Sequence, residues 1–112
     1  MKGYWLCINR IDRIVEISFP DAEMFTINSC LATISRKEEE QLLKRLQEVT
    51  MDTAPFTLTY EYFSLDIGPV NIVFNFHMFD KPIIGYLYTE VFTAALEEYL
   101  DAKDKLFNSS EY

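Results

Sequence analysis

The chain has 112 residues, 49% of them hydrophobic and 25% charged, with a net charge of −8. That is the size and composition of one globular domain with a modest core, and the acid excess excludes the lysine and arginine clusters that bind nucleic-acid phosphates. No apolar run is long enough to span a bilayer, and the opening MKGYWLCINR lacks the apolar run and small residues of a secretory leader, so a cytoplasmic protein is expected.

The stretch GYWLCINRIDRIVEISFP reads as a β-hairpin. A two-residue turn at Ile11 and Asp12 pairs Tyr4 with Phe19, Leu6 with Ile17 and Ile8 with Val15, gathering the apolar side chains on one face. Ile11 suits a tight turn poorly, so a longer loop is the alternative there. Pro20 stops the second strand. MFTINSCLATI is apolar and β-branched and predicts a third strand over Thr26 to Ile34, with DAEMF before it able to form a helical turn.

Ser35 and Glu38 form the capping-box pattern S-x-x-E. Leu42, Leu43, Leu46 and Val49 then recur at helical spacing, which predicts a helix over Arg36 to Val49. The acidic run Glu38, Glu39, Glu40 reads as its solvated face.

FTLTYEYFSLD and VNIVFNFHMFD form a second predicted hairpin, turning through Ile67, Gly68 and Pro69. Aligning their apolar faces opposes Tyr62 to Phe74, Tyr60 to Phe76 and Thr59 to His77, and makes Glu61 a diagonal neighbour of His77. The alternation puts Val70, Ile72, Phe74, Phe76 and Met78 on the core face and His77 and Phe79 opposite; Phe63 is likewise assigned to the polar face. DKPIIGYLY reads two ways: Asp80 followed by Pro82 can cap a helix, whereas Gly85 and the apolar, aromatic content favour a short strand, which is the reading taken. Thr89 then caps a helix whose apolar stripe is Val91, Phe92, Ala95, Leu96, Tyr99 and Leu100.

The expected fold is therefore α+β: an antiparallel β-sheet of about five strands, in the order β-β-β-α-β-β-(β)-α, with two helices packed on one face. Residues 1–107 form a single domain and residues 108–112 a frayed tail.

Chemistry leaves few marks. Cys7 and Cys30 stand outside any metal-binding spacing, and no glycine-rich loop leads into a helix to cradle a phosphate. His77, the one histidine, has carboxylates nearby in sequence but nothing that requires a nucleophile beside it. Neither an enzyme nor a cofactor is expected.

Charge placement is more informative. Residues 1–45 carry seven acids and seven bases, whereas residues 46–102 carry nine acids against Lys81 alone, which accounts for the whole −8. The same half is dense in aromatics. Interfaces draw energy from buried aromatics and selective encounter from charge complementarity. The candidate partner-binding residues are thus the acids Glu61, Asp66, Asp80, Glu90, Glu97, Glu98 and Asp101 and the anchors Phe63, Phe79, Tyr86 and Tyr88, and the partner they imply is a basic protein.

In size, acidity and aromatic content the chain is similar to bacterial toxin-immunity proteins and acidic anti-defence proteins of phages, a likeness of general character with no motif behind it. That likeness implies an inhibitor that neutralises a basic, nuclease-type toxin or effector. The alternative is a homo-oligomeric scaffold or structural subunit without catalytic activity; an inhibitor is expected to be monomeric or a weak homodimer alone, whereas a scaffold subunit is expected to self-associate regardless of salt.

Overall fold

The computed structural model describes residues 3–108, the side chain of Asn108 excepted. β1 (Trp5–Asn9) and β2 (Ile14–Ser18) pair antiparallel in the predicted register, Leu6 opposite Ile17 and Ile8 opposite Val15. The turn is the longer one. Asn9 Oδ1 accepts the N–H groups of Ile11 and Asp12, each at 3.0 Å, and Arg13 takes the left-handed conformation at φ 55° that closes the four-residue loop.

The segment expected as a third strand is helical: a 3-10 helix Ala22–Thr26 leads directly into α1 (Ile27–Leu31). The Asp21 side chain caps it by accepting the Glu23 N–H. Met24, Ile27, Cys30 and Leu31, spaced for one helical face, are all buried. Asn28 explains why no strand is needed there. Its side chain bonds the Ile17 backbone and occupies the outer edge of β2, where a third strand would have paired.

α2 (Arg36–Gln47) starts at the predicted capping box, with Ser35 accepting the Glu38 N–H and Glu38 reaching back to the Ser35 N–H. Leu42 and Leu46 face the core. The acidic run is not uniformly solvated. Glu39 is only 1% exposed, with Lys103 Nζ donating to its Oε1 at 3.1 Å while Oε2 meets no hydrogen-bond donor within ordinary distance among the described residues.

β3 (Phe56–Thr59), β4 (Phe63–Ile67), β5 (Asn71–Phe76) and β6 (Ile83–Tyr88) form an antiparallel meander in sequence order. The chain expected as one strand through Phe56 to Leu65 is two strands. A tight turn at Glu61 and Tyr62, closed by the Tyr60 N–H on the Phe63 carbonyl at 2.8 Å, separates them. This shifts the next pairing by three residues, so that Phe63 opposes Phe76, Leu65 opposes Phe74 and Ile67 opposes Ile72. Ile72, Phe74 and Phe76 face the core as predicted.

β6 confirms the predicted strand and runs without a loop into α3 (Thr89–Asn108). Thr89 ties this junction to the β4–β5 turn through Oγ1 to the Gly68 carbonyl, 2.6 Å, and N–H to the Val70 carbonyl, 2.8 Å. Phe92, Ala95, Leu96, Tyr99 and Leu100 are buried as expected. The Phe92 ring meets Phe74 edge-on at 4.8 Å and lies 6.4 Å from Phe19, so α3 joins the meander to the first hairpin. Asn108 is still helical in backbone; the rest of the expected frayed tail lies outside the described residues.

The architecture is α+β, as predicted, with six strands in two sheets among the described residues and helices packed on the sheets.

Candidate functional site

The alternation of a strand splits the meander into two surfaces. The inner surface, bearing Phe63, Leu65, Ile67, Ile72, Phe74 and Phe76, is covered. On the outer surface the register sets Thr57, Asp66, Val73 and Tyr86 in one row and Thr59, Ser64, Asn75 and Ile84 in the next, with Asn71 opposite Tyr88 beyond them. Among the described residues no helix lies over this face: Tyr86 is 60% and Tyr88 62% exposed, and Ile84 is exposed between Tyr86 and the strand end. One tyrosine follows the other at about 6.8 Å along β6, two residues of antiparallel strand.

Asp66 is the one charged residue of these rows, and its carboxylate is held in place. Thr57 Oγ1 donates to Oδ1 at 2.7 Å and Asn75 Nδ2 to Oδ2 at 3.1 Å. An ionised carboxylate has about four acceptor positions, so two remain for a donor arriving from solvent. The rim at one end of the sheet is built by two turns brought together by the His77 N–H on the Tyr62 carbonyl, 3.0 Å. These turns contribute Glu61, Phe79 and Asp80, all exposed.

The predicted partner-binding residues therefore divide. Asp66, Tyr86 and Tyr88 share the outer face, with Glu61, Phe79 and Asp80 at its rim. Glu90, Glu97, Glu98 and Asp101 lie on α3, which packs behind the meander's inner surface. Glu90 and Glu97 line a separate groove with Met51 and Pro69, and Gln47 donates to Glu97 at 3.4 Å. Glu98 accepts the Tyr4 hydroxyl, and Asp101 pairs with Lys105 at 3.0 Å. Phe63 is corrected outright: it is fully buried and stacks on Tyr60 at 4.8 Å, because the turn at Glu61 and Tyr62 inverts the phase of the strand after it. Ile84 was missed. Its alternation with Tyr86 and Tyr88 along IIGYLY is the signal in the sequence that places it on the same face.

His77 is exposed just past the end of β5. Thr59, expected opposite it, pairs with Ser64 instead. Cys7 is exposed on β1 in the other sheet, whereas Cys30 is buried, and burial pushes its thiol pKa up to about 11. Among the described residues no group of three His, Cys, Asp or Glu is placed to hold a metal ion, and no helix is long and apolar enough to cross a membrane. No family model, curated protein or solved structure matches the chain, so the reading of this face rests on its residues.

Proposed function

We propose that the protein is a binding module without catalytic activity, and that it inhibits a basic protein of the nuclease-toxin type by docking it on the outer face of the β3–β6 sheet. The observation that carries this reading is an uncovered face bearing Ile84, Tyr86 and Tyr88 together with one fixed acid and no base. Tyrosines on a rigid strand bury large area at little entropic cost and are frequent hot spots. Asp66 offers fixed acceptors suited to arginine, while Glu61 and Asp80 at the rim favour approach of a cationic surface. A nucleic-acid-binding toxin carries such a surface because it must hold phosphate.

The test is co-purification from the native host's extract at low and high salt, comparing wild type, Tyr86→Ala/Tyr88→Ala and Glu40→Lys. The expected result is one basic protein, captured by wild type and by the Glu40 variant, weakened by salt and lost with the tyrosines. An acidic partner, or equal capture by the tyrosine variant, overturns the reading.

A further inference from the structure

The first hairpin has one edge closed and one open. Ile17 directs both its N–H and its C=O to the Asn28 side chain, on the side away from β1. Opposite residues in an antiparallel pair exchange both bonds or neither, so Leu6, across from Ile17, also turns its backbone groups away from its partner strand. By the two-residue period Ile8 does the same. Among the described residues nothing takes these groups up.

The remaining strand edges are less available. The 3-10 helix packs against β6, bringing the Asp21 carboxylate near the Tyr86 N–H, and β3 is four residues long and begins directly after Pro55. Among the described residues nothing pairs with the outer edge of β1, which is five residues long, and an unpaired edge of that kind is a template for another strand.

We infer that the strand it takes is β1 of a second copy, paired antiparallel about a two-fold axis at Cys7. Leu6 of each copy then lies opposite Ile8 of the other, and these are the residues whose outward N–H and C=O groups need partners. The two hairpins become one four-stranded sheet with both α3 helices on the same face.

Charge selects this occupant and its direction. Between β1 and α3 runs a groove of about 360 Å³ lined by Leu6 and Ile8 and by four charges, Arg10, Glu98 and the Asp101–Lys105 pair, of which the last two offset each other. Glu98 lies beside Tyr4 at one end, and Arg10 follows the strand at the other. A two-fold axis at Cys7 reverses the groove end for end, setting Arg10 of each copy opposite Tyr4 and Glu98 of its mate. Parallel pairing with both copies facing the same way would set Arg10 beside Arg10, and a parallel two-fold would put the two groove faces on opposite sides of the sheet.

The alignment makes Cys7 face its own copy in a pair that exchanges no backbone bonds. Such pairs hold their Cα atoms at about 4.5 Å, inside the range of about 4.4–6.8 Å that a disulfide spans. Cys7 is exposed, so two Cys7 thiols treated with diamide should form the bond, their two electrons and two protons passing to the diamide.

The experiment is sedimentation of the full chain over a dilution series, with non-reducing electrophoresis after diamide. Wild type should show a monomer–dimer equilibrium and a Cys7-linked dimer that Cys7→Ser abolishes. Ile8→Pro removes an N–H that the hairpin does not use and should leave the protein monomeric; Arg10→Glu, on the exposed loop, should weaken the dimer at least several-fold even if the proline variant fails to fold. A wild type that stays monomeric throughout, a Cys7→Ser variant that still cross-links, or an Arg10→Glu variant that dimerises like wild type overturns the inference. The sheet-face tyrosines take no part, so this outcome is independent of the partner reading.

Discussion

The Asn28 carboxamide satisfies both backbone groups of Ile17, accepting its N–H at 2.8 Å and donating to its C=O at 2.9 Å. One side chain thereby does at the edge of β2 what an added strand would do. Asn28→Leu leaves both groups without that partner and should cost about 2–3 kcal/mol in urea unfolding, the sum of two lost bonds in a partly buried setting. Asn28→Asp keeps the acceptor but replaces the donor with a charge facing the Ile17 carbonyl. It should be at least as destabilising at neutral pH and recover partly as the new acid is protonated.

Glu39 predicts a pH dependence of opposite sense to ordinary acid denaturation. Burial raises its pKa, with Lys103 only partly opposing the shift. Between the unfolded value near 4.5 and the raised folded value, the native state binds more protons than the unfolded chain. The contribution is therefore fully present below the unfolded pKa and lost as pH rises through the folded one. Glu39→Met should remove this component from a curve of unfolding free energy against pH. It should also be neutral or stabilising by about 1 kcal/mol at pH 7, because Lys103 is partly exposed and can hydrate.

Gly85 lies in the inner row of β6, opposite Phe74, and a methyl there would sit 2.6 Å from Met24 Sδ and 3.3 Å from Phe76. Gly85→Ala should cost about 1–3 kcal/mol through overpacking. In a Met24→Ala background, which carries its own cavity cost, the same Gly85→Ala change should cost much less, and a double-mutant cycle by thermal melts measures the coupling.

Phe63 and Tyr88 were both proposed anchors, and stability separates them. Phe63→Ala empties a fully buried site and should cost about 3–5 kcal/mol, whereas Tyr88→Ala on the open face should stay within about 0.5 kcal/mol. Equal losses in chemical denaturation would contradict the assignment of Tyr88 to an uncovered surface.

Legibility followed the strength of local signals. The capping box at Ser35, the apolar stripe of α3 and the alternation of β5 each rest on neighbours within a turn or a strand. The first hairpin's register was readable because three apolar pairs agreed on it. The turn at Glu61 and Tyr62 was not, since neither residue marks a reversal and the alternation runs through TYEYF unbroken; that concealed the burial of Phe63 and displaced His77 from Thr59. Residues 26–34 were misassigned because β-branched composition favours a strand, while the deciding interaction, Asn28 with Ile17, spans eleven positions. The candidate site suffered likewise: charge counted along the chain grouped the α3 acids with the tyrosines, and only the fold shows that the sheet separates them.

The Tyr4 hydroxyl meets Glu98 across 94 positions of chain, and this contact has a consequence for synthesis. The first hairpin leaves the ribosome well before α3, against which it packs and which is made only after the whole β3–β6 meander. Until then the hairpin must wait with Val15, Ile17 and Phe19 short of their native contacts. The Asn28 carboxamide, eleven residues behind Ile17, emerges much sooner. It can shield one strand edge from neighbouring nascent chains through that interval, so its kinetic value to the cell can exceed what an equilibrium melt records.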